Sequence, residues 1–227
     1  MEPAINGDIS MNKTAVVLGG TGLVGSALLE LLVHSPAFSN VRCISRRAPH
    51  LDHPKLTHCH ADFEQLENYA EAFQGDCLFS CLGTTRKQAG SLAAQRRVDV
   101  DYQLRAAQIA AQQGVPHYLL VSAMGANADS LSAYMQMKGE LEDAVIALNF
   151  ASTSIFQPSL LTGARDQRRW AESLSAPLME AACHLPGLKN YRPISGTQLA
   201  QAMLERSLEN TQGLKRYRLG ECFPKSE

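Results

Sequence analysis

A tyrosine, a lysine and a serine in the middle of the sequence have the residue types and spacing needed for acid–base chemistry on a carbonyl group. Tyr134 and Lys138 stand four residues apart, and Ser122 precedes the tyrosine by twelve residues. Because residues four apart on a helix share one face, the phenol and the ammonium are expected to lie together. A nearby cation favours the phenolate of a tyrosine, whose reference pKa is about 10. The pattern therefore predicts that Ser122, Tyr134 and Lys138 form a catalytic set for hydride transfer to a carbonyl.

A glycine-rich stretch near the start of the chain has the form of a loop that binds a dinucleotide. It reads Gly19-Gly20-Thr21-Gly22-Leu23-Val24-Gly25, and it follows a short β-branched run. In such a loop one glycine permits a sharp turn, the next lets backbone N–H groups approach the pyrophosphate, and the last allows the helix to pack on the strand. The helix N-terminus then faces the anion. A tight turn requires glycine for structural reasons too, but the position in a βαβ unit favours dinucleotide binding.

Two arginines after the second predicted strand bear on which dinucleotide is bound. In a site for NAD, an acidic residue about 20 residues beyond the loop holds the ribose 2′-hydroxyl. Arg46 and Arg47 occupy that place, and guanidinium groups bind a 2′-phosphate through charge-assisted hydrogen bonds. The pattern favours NADP(H), with a solvated basic loop as the alternative. Asp62, after the third predicted strand, is placed to contact adenine or, equally, to cap the following helix.

Apolar runs and helical periodicities alternate along the chain, which indicates a parallel sheet covered by helices. Strands are predicted at 14–18, 41–45, 56–61, 76–82, 117–122, 152–156 and 215–219, and helices at 23–32, 64–73, 91–113, 132–148, 167–182 and 196–208. Repeated strand–helix units form right-handed crossovers that bury both faces of a sheet. The predicted fold class is α/β, a Rossmann-type doubly wound parallel sheet with helices on both faces and a small C-terminal substrate-side extension.

The chain is expected to fold as one unit, because its 227 residues suit a single α/β domain. Residues 1–12 are polar and lack periodicity, so they are interpreted as a loose leader. Residues 13–227 are then the NAD(P)-binding Rossmann domain. Within it, 158–195 is the expected substrate-side segment, since its composition suggests a partly apolar pocket.

Composition argues against several kinds of partner and site. A net charge of -1 gives no broad attraction to nucleic acid, and the short cluster of Arg165, Arg168 and Arg169 lies on no sustained basic face. Apolar stretches fall short of the ~20 residues that cross a bilayer. The six cysteines lie mostly in apolar strand-like runs with no signal peptide before them, which favours reduced thiols. The spacing of Cys77 and Cys81, without a second pair, argues against a zinc site. With no signal peptide, the chain is predicted to be cytoplasmic.

Together these residues resemble the short-chain dehydrogenase/reductase superfamily, and the glycine loop resembles its atypical members. Four further motifs are similar to the branch named for the Tat-interactive protein: Cys81-Leu82-Gly83-Thr84-Thr85-Arg86, Ser122-Ala123-Met124-Gly125-Ala126, Tyr134-x-x-x-Lys138-Gly139-Glu140-x-Glu142 and Gln157-Pro158-Ser159-Leu160-Leu161. The likeness covers nearly the whole chain from about residue 13 to 220.

The resemblance implies roles for individual residues. Tyr134 would donate a proton, Lys138 would bind the nicotinamide ribose, and Ser122 would orient the carbonyl. The residues that would line the cofactor are Cys81, Leu82 and Gly83, with Leu161 at its nicotinamide end. The chain departs from the superfamily at two places: Asp99 stands where many relatives carry an asparagine that supports the proton relay, and Ala123 stands where a second serine is common.

Two functions are compatible with the sequence. The first is an NADP(H)-dependent oxidoreductase that reduces a small carbonyl compound. The alternative is a catalytically weak NADPH-binding redox sensor, in which the cofactor orders the segment after Pro158 and creates a surface for a protein partner. A homodimer is compatible with either function.

Overall fold

Seven parallel strands form one sheet within residues 12–163 and 192–225, which are the part of the chain described by the computed structural model. The strands are β1 (Lys13–Leu18), β2 (Phe38–Ser45), β3 (Leu56–His60), β4 (Cys77–Ser80), β5 (His117–Val121), β6 (Ser152–Gln157) and β9 (Gly213–Arg218). Their order across the sheet is β3-β2-β1-β4-β5-β6-β9. Two short strands, β7 (Leu161–Thr162) and β8 (Ile194–Ser195), pair separately. The predicted doubly wound Rossmann sheet is confirmed.

Helices cover both faces of the sheet, because successive strand residues point to opposite sides. On one face, Ala15 and Val17 pack with α1 (Leu23–His34) and α6 (Gly196–Ser207). On the other face, Val16 and Leu18 pack with a 3-10 segment (Phe63–Phe73), α4 (Tyr102–Gln112) and α5 (Ala133–Ile146). The remaining bounds are α2 (Arg86–Ala89), α3 (Leu92–Arg96) and a second 3-10 segment at Leu219–Cys222.

Two predicted helices differ from what the structure shows. The helix predicted at 64–73 is a 3-10 segment, Phe63–Phe73, with non-helical backbone at Gln65 and Tyr69. The long helix predicted at 91–113 is divided into α3 and α4 by a π turn at Arg97–Asp101. Periodicity reports which face is apolar, and it does not resolve a local change in hydrogen-bond register.

The other described strands and helices lie within three residues of their predicted bounds, apart from α2, β7, β8 and the second 3-10 segment, which were not predicted. The helix predicted at 167–182 and the cluster of Arg165, Arg168 and Arg169 lie outside the described residues, as do residues 1–11 of the predicted leader. Only the two ends of the substrate-side segment, 158–163 and 192–195, are therefore described.

Candidate cofactor and active site

The candidate site lies where β1 and β4 are neighbours, because the chain leaves these two strands in opposite directions across the sheet. A crevice forms at such a point, at the carboxyl ends of the strands. Gly19 follows β1 with a φ of +78°, and a Cβ there would lie 2.7 Å from the carbonyl carbon of Cys81 after β4. The two loops that the sequence assigned to the cofactor are thus in direct contact.

The glycines of the loop have distinct structural roles. A Cβ on Gly25 would overlap the backbone carbonyl of Gly19, so the first turn of α1 packs directly on the loop. Gly22 is the N-cap of α1 in an extended conformation, and its nearest obstacle for a Cβ is the Gly19 oxygen at 3.2 Å. No side chain caps this helix within the described chain. Its first N–H groups therefore remain available to an anion, which fits a dinucleotide pyrophosphate.

A cavity of about 70 Å³ brings the predicted adenosine-side residues together. Its lining includes Gly19, Thr21, Arg46, Arg47 and Leu82, which the sequence predicted, and Ser45, Phe63, Val98 and Tyr102, which it did not. The signal for Ser45 and Phe63 was their position, since each stands at or just after the carboxyl end of a strand. Nothing in the sequence marked Val98 or Tyr102, which reach the site from the helical layer.

Neighbouring polar groups fix the loop after β2. The Ser45 hydroxyl donates to the Arg47 carbonyl at 2.7 Å and lies 3.1 Å from Nε2 of His58. Asp62 accepts a 3.0 Å hydrogen bond from the Glu64 backbone, so the capping alternative considered for this residue is present. Whether Asp62 also contacts adenine stays a prediction.

Tyr134 and Lys138 share one face of α5, as their spacing predicted. The Lys138 Nζ lies 6.0 Å from the Tyr134 ring centroid, and the lysine is 3% exposed while the tyrosine is 37% exposed. Beneath them, Asp99 is 1% exposed, and its Oδ1 lies 3.3 Å from the Lys138 Nζ. The arrangement is an accessible phenol above a buried ion pair.

Two influences on Tyr134 oppose the lowering of its pKa that was expected from Lys138. Burial, and then the Asp99 carboxylate, raise the pKa of Tyr134. Burial also raises the pKa of Asp99, against the opposing effects of Lys138 and of the Thr84 N–H. The pairing of Lys138 with Asp99 was not predicted from the sequence. A phenol whose pKa is at or above its ordinary value of about 10 is protonated at neutral pH, as a proton donor must be.

The Ser122 hydroxyl does not have the surroundings that the resemblance implied. It donates a hydrogen bond to Glu142 Oε1, and both side chains are buried. Gln157 Nε2 donates to both Glu142 oxygens, at 2.9 and 3.0 Å, and the Arg216 Nε lies 3.5 Å from Oε2. The Ser122 hydroxyl thus contacts Glu142 and joins the end of β5 to α5, and its carbonyl-orienting role stays a prediction. Glu142, one helical turn beyond Lys138, was quoted in a motif but given no role.

The loop after β5 rests on α5 beside the lysine. A Cβ on Gly139 would overlap the backbone of Asn127 and Ala128, so this loop contacts the helix backbone directly. Further along the same loop, Leu131 is fully exposed.

The remaining predicted residues lie around the glycine loop. Val24 is buried in the core, whereas Leu23 is exposed and meets Gly163 and Gly196. Gly20, Thr21 and Leu23 line a larger cavity of about 560 Å³. Leu161 lies in β7, and Gly83 lies where a Cβ would be 3.6 Å from Asp99 Oδ1.

Two features are absent from residues 12–163 and 192–225. No group of three or more His, Cys, Asp or Glu side chains is arranged to hold a metal ion. None of the described helices combines the length and apolar character that crossing a membrane requires.

Comparison with known proteins gives the family. The model of a family described as NAD(P)H-binding matches residues 19–172. Protein HTATIP2 of Rattus norvegicus is 39% identical over 168 residues, which are 72% of this chain and 69% of that protein. Protein FMP52, mitochondrial, of Coccidioides immitis is 33% identical over 215 residues, which are 88% of this chain and 87% of that protein.

Solved structures share the fold at low sequence identity. MoeE5 in complex with UDP-glucose and NAD has a TM-score of 0.69 and 18% identity, with 91% of this chain and 76% of that chain covered. A short chain dehydrogenase family protein from Francisella tularensis has a TM-score of 0.68 and 14% identity, with 92% and 98% covered.

The relatives also correct the expected location. Proteins named FMP52 from several fungi are called mitochondrial, which contradicts the cytoplasmic location predicted from the sequence. Charge balance and cysteine content do not report a compartment, because targeting segments select it. The family match, the relatives and the shared sheet agree with the site geometry: the chain belongs to the NAD(P)H-binding family and is an atypical short-chain dehydrogenase/reductase, similar to HTATIP2, that uses a nicotinamide cofactor.

Proposed function

We propose that this protein is an NADP(H)-dependent reductase of a small carbonyl compound. The observation that carries the proposal is the partly exposed Tyr134 on the same face of α5 as the buried Lys138, whose partner Asp99 is bound to the loop after β4. A phenol that keeps its proton and remains open to solvent can act as a general acid toward a bound substrate.

The cofactor and the protein supply different parts of the reaction. When bound, the reduced nicotinamide supplies a hydride to the carbonyl carbon. Tyr134 donates its proton to the carbonyl oxygen, so that the carbonyl becomes an alcohol and the phenol becomes a phenolate. The Lys138 ammonium, fixed by Asp99, stabilises that negative charge as it develops. Ser122 supports α5 through Glu142.

The preference for NADP(H) rests on Arg46 and Arg47. Both line the 70 Å³ cavity beside Gly19 and Leu82, at the end of β2 where a 2′-phosphate falls in this fold. Two guanidinium groups give a 2′-phosphate paired donors and opposite charge, and they offer the free hydroxyl of NAD no acceptor.

The experiment is a screen of aldehydes and ketones for NADPH oxidation by the full-length protein. Tyr134→Phe should lower turnover by about 10²- to 10⁴-fold, because the ring keeps its shape but has no proton to donate. NADPH affinity, measured by calorimetry, should stay nearly unchanged. Tyr69→Phe, in the 3-10 segment, removes a hydroxyl away from the site and should keep full turnover.

The second candidate is a catalytically weak NADPH-binding sensor, and the Ser122–Glu142 contact favours it, since one hydroxyl expected at the substrate is used within the protein. NADPH binding without wild-type turnover on any carbonyl in the screen supports the sensor. Carbonyl reduction that survives Tyr134→Phe contradicts the proposed mechanism.

A further inference from the structure

The turn that carries the two arginines, residues 45–47, is bound by a histidine from the neighbouring strand. His58 lies on β3, the edge strand beside β2, and its side chain is half-buried. Its Nε2 is 3.1 Å from the Ser45 hydroxyl and 3.2 Å from the Ser45 carbonyl oxygen. Ser45 is buried at the end of β2 and lines the 70 Å³ cavity together with Arg46 and Arg47. His58 therefore contacts the cavity wall through this serine.

The hydrogen bonds of Ser45 determine which nitrogen of His58 carries a proton. A carbonyl oxygen can only accept, and the Ser45 carbonyl already accepts from the Ala61 N–H at 3.2 Å. The Ser45 hydroxyl donates its single proton to the Arg47 carbonyl at 2.7 Å, so it too accepts from His58. Nε2 of His58 is thus the donor to both Ser45 oxygens. Donation runs in one direction, from His58 to Ser45 to Arg47.

The same serine is connected to the glycine loop through a buried thiol. The Cys43 Sγ lies 3.5 Å from the Ser45 hydroxyl, and a Cβ on Gly20 would lie 2.6 Å from that sulfur. The turn with the arginines and the loop that faces the pyrophosphate therefore rest on adjoining side chains, and a displaced Ser45 would disturb the packing between them.

The arginines of the turn have charges that the protein does not neutralise. Arg46 and Arg47 are exposed, and neither is ion-paired with a carboxylate within residues 12–163 and 192–225. Two long side chains lose rotamer freedom when they converge on one phosphate. This cost is lower when the backbone between them is already fixed. The Arg47 carbonyl, held by Ser45, belongs to that backbone.

We propose that His58 is a positioning residue for cofactor choice, which donates to Ser45 and so fixes the turn from which Arg46 and Arg47 bind the 2′-phosphate of NADP(H). The inference rests on the proposed function for its preference for NADP(H), and it involves no catalytic step. NADH has no 2′-phosphate, so its affinity does not depend on where the arginines point. A histidine with a merely structural role would affect both cofactors alike.

The test is the ratio of NADPH affinity to NADH affinity, measured by calorimetry on the full-length protein. His58→Leu keeps a similar volume and removes the donor, so NADPH affinity should fall by about 3- to 10-fold while NADH affinity stays nearly constant. His58→Gln places an amide N–H near the position of Nε2 and should restore most of the NADPH affinity. An unchanged ratio in His58→Leu, or a glutamine variant no better than the leucine variant, overturns the proposal.

The matched control is His60→Leu. This histidine lies two residues further along β3 and so on the same face of the strand, with its ring centroid 6.3 Å from that of His58. Its variant should keep the affinity ratio of the wild type. An equal loss of NADPH affinity in His58→Leu and His60→Leu would show a general effect of the edge strand and would overturn the proposal.

Ser45→Ala tests whether His58 acts through the serine. If it does, His58→Leu should lower NADPH affinity much less in the Ser45→Ala protein than in the wild type, because the hydroxyl that joins His58 to Arg47 is already absent. Fully additive losses would mean that His58 acts by another route, which contradicts the proposal.

The remaining outcomes separate this inference from the proposed function. Circular dichroism checks that each variant is folded, and His58→Ala, with the same expected ratio, replaces His58→Leu if the leucine prevents folding. If neither folds while His60→Leu does, His58 is a structural anchor and the proposal is wrong. Equal affinity of the wild type for NADPH and NADH would refute the NADP(H) preference and this inference with it. A carbonyl screen without turnover would count against the reductase alone, because the affinity ratio requires no substrate.

Discussion

The cofactor half and the catalytic half of the crevice are built in different ways. Around the glycine loop, the geometry is set by backbone in contact with backbone, as where Gly25 packs on Gly19 and Gly19 packs on Cys81. Along α5, it is set by two buried carboxylates, Asp99 and Glu142, and their partners. The first half should therefore be sensitive to added volume, and the second to lost charge or a lost hydrogen bond.

Adding one methyl group to the cofactor half should have the largest effect. In Gly25→Ala, the new Cβ meets the Gly19 carbonyl, which is backbone and cannot turn aside. The free energy of unfolding should fall by about 3 kcal/mol, near the upper end for overpacking. Denaturant unfolding of the purified variant measures this change.

Gly22→Ala tests the same half of the crevice through cofactor affinity instead of stability. A Cβ at this position would lie 3.2 Å from the Gly19 carbonyl oxygen, a close contact but a far milder one than at Gly25. Stability should therefore change less than in Gly25→Ala, whereas a bound pyrophosphate would meet the methyl. Cofactor affinity should fall by about 10- to 100-fold, as for a clash of about 1–3 kcal/mol. Full affinity in a folded Gly22→Ala protein would contradict the assignment of the loop.

Removing the two arginine charges from the cofactor half should lower NADPH affinity by an intermediate amount. In Arg46→Ala/Arg47→Ala, NADPH affinity should fall by about 30- to 100-fold, since hydrogen bonds to charged groups contribute about 1.5–3 kcal/mol before solvent screening. NADH affinity should remain nearly constant. Calorimetric titration of both cofactors gives the ratio, and Arg105→Ala, a surface arginine paired with Glu67, is the control. Equal losses for both cofactors would remove the case for NADP(H).

Ser122→Ala, in the catalytic half, should cause the smallest losses of stability and turnover. Glu142 keeps its two hydrogen bonds from Gln157 and loses one, so unfolding should become easier by about 1 kcal/mol. Turnover should fall far less than in Tyr134→Phe, because the hydroxyl is turned toward Glu142. Paired kinetic measurements on the two variants decide this, and comparable losses would restore the carbonyl-orienting role.

The same difference between the halves explains which features were predictable. The glycine loop, Arg46 and Arg47 are local in sequence, and each is interpretable from its distance to a strand end. The Tyr134–Lys138 face was predictable because helical spacing fixes it. The contacts of Lys138 with Asp99 and of Ser122 with Glu142 join residues 39 and 20 positions apart in sequence, and no local pattern encodes such pairs.

Asp99 shows most clearly why some contacts of the site could not be predicted from the sequence. Its residue type was recognised as a departure from the superfamily, yet its partner depends on the π turn. Periodicity predicted one continuous helix over that stretch, and a continuous helix would carry Asp99 in a different direction. The pKa of Tyr134 is raised first by burial and then by the Asp99 carboxylate, and the local spacing of Tyr134 and Lys138 shows neither cause.

The backbone contact at Gly139 divides the neighbouring loop into two parts with different freedom to vary. Asn127 and Ala128 rest on the helix and are held there because position 139 carries no side chain. Beyond them, Leu131 is fully exposed, and loops of this kind accept insertions and new residues more readily than the elements they join. The entrance to the crevice can therefore diversify in length and polarity during evolution or in directed engineering, while Lys138, next to the glycine, keeps its place.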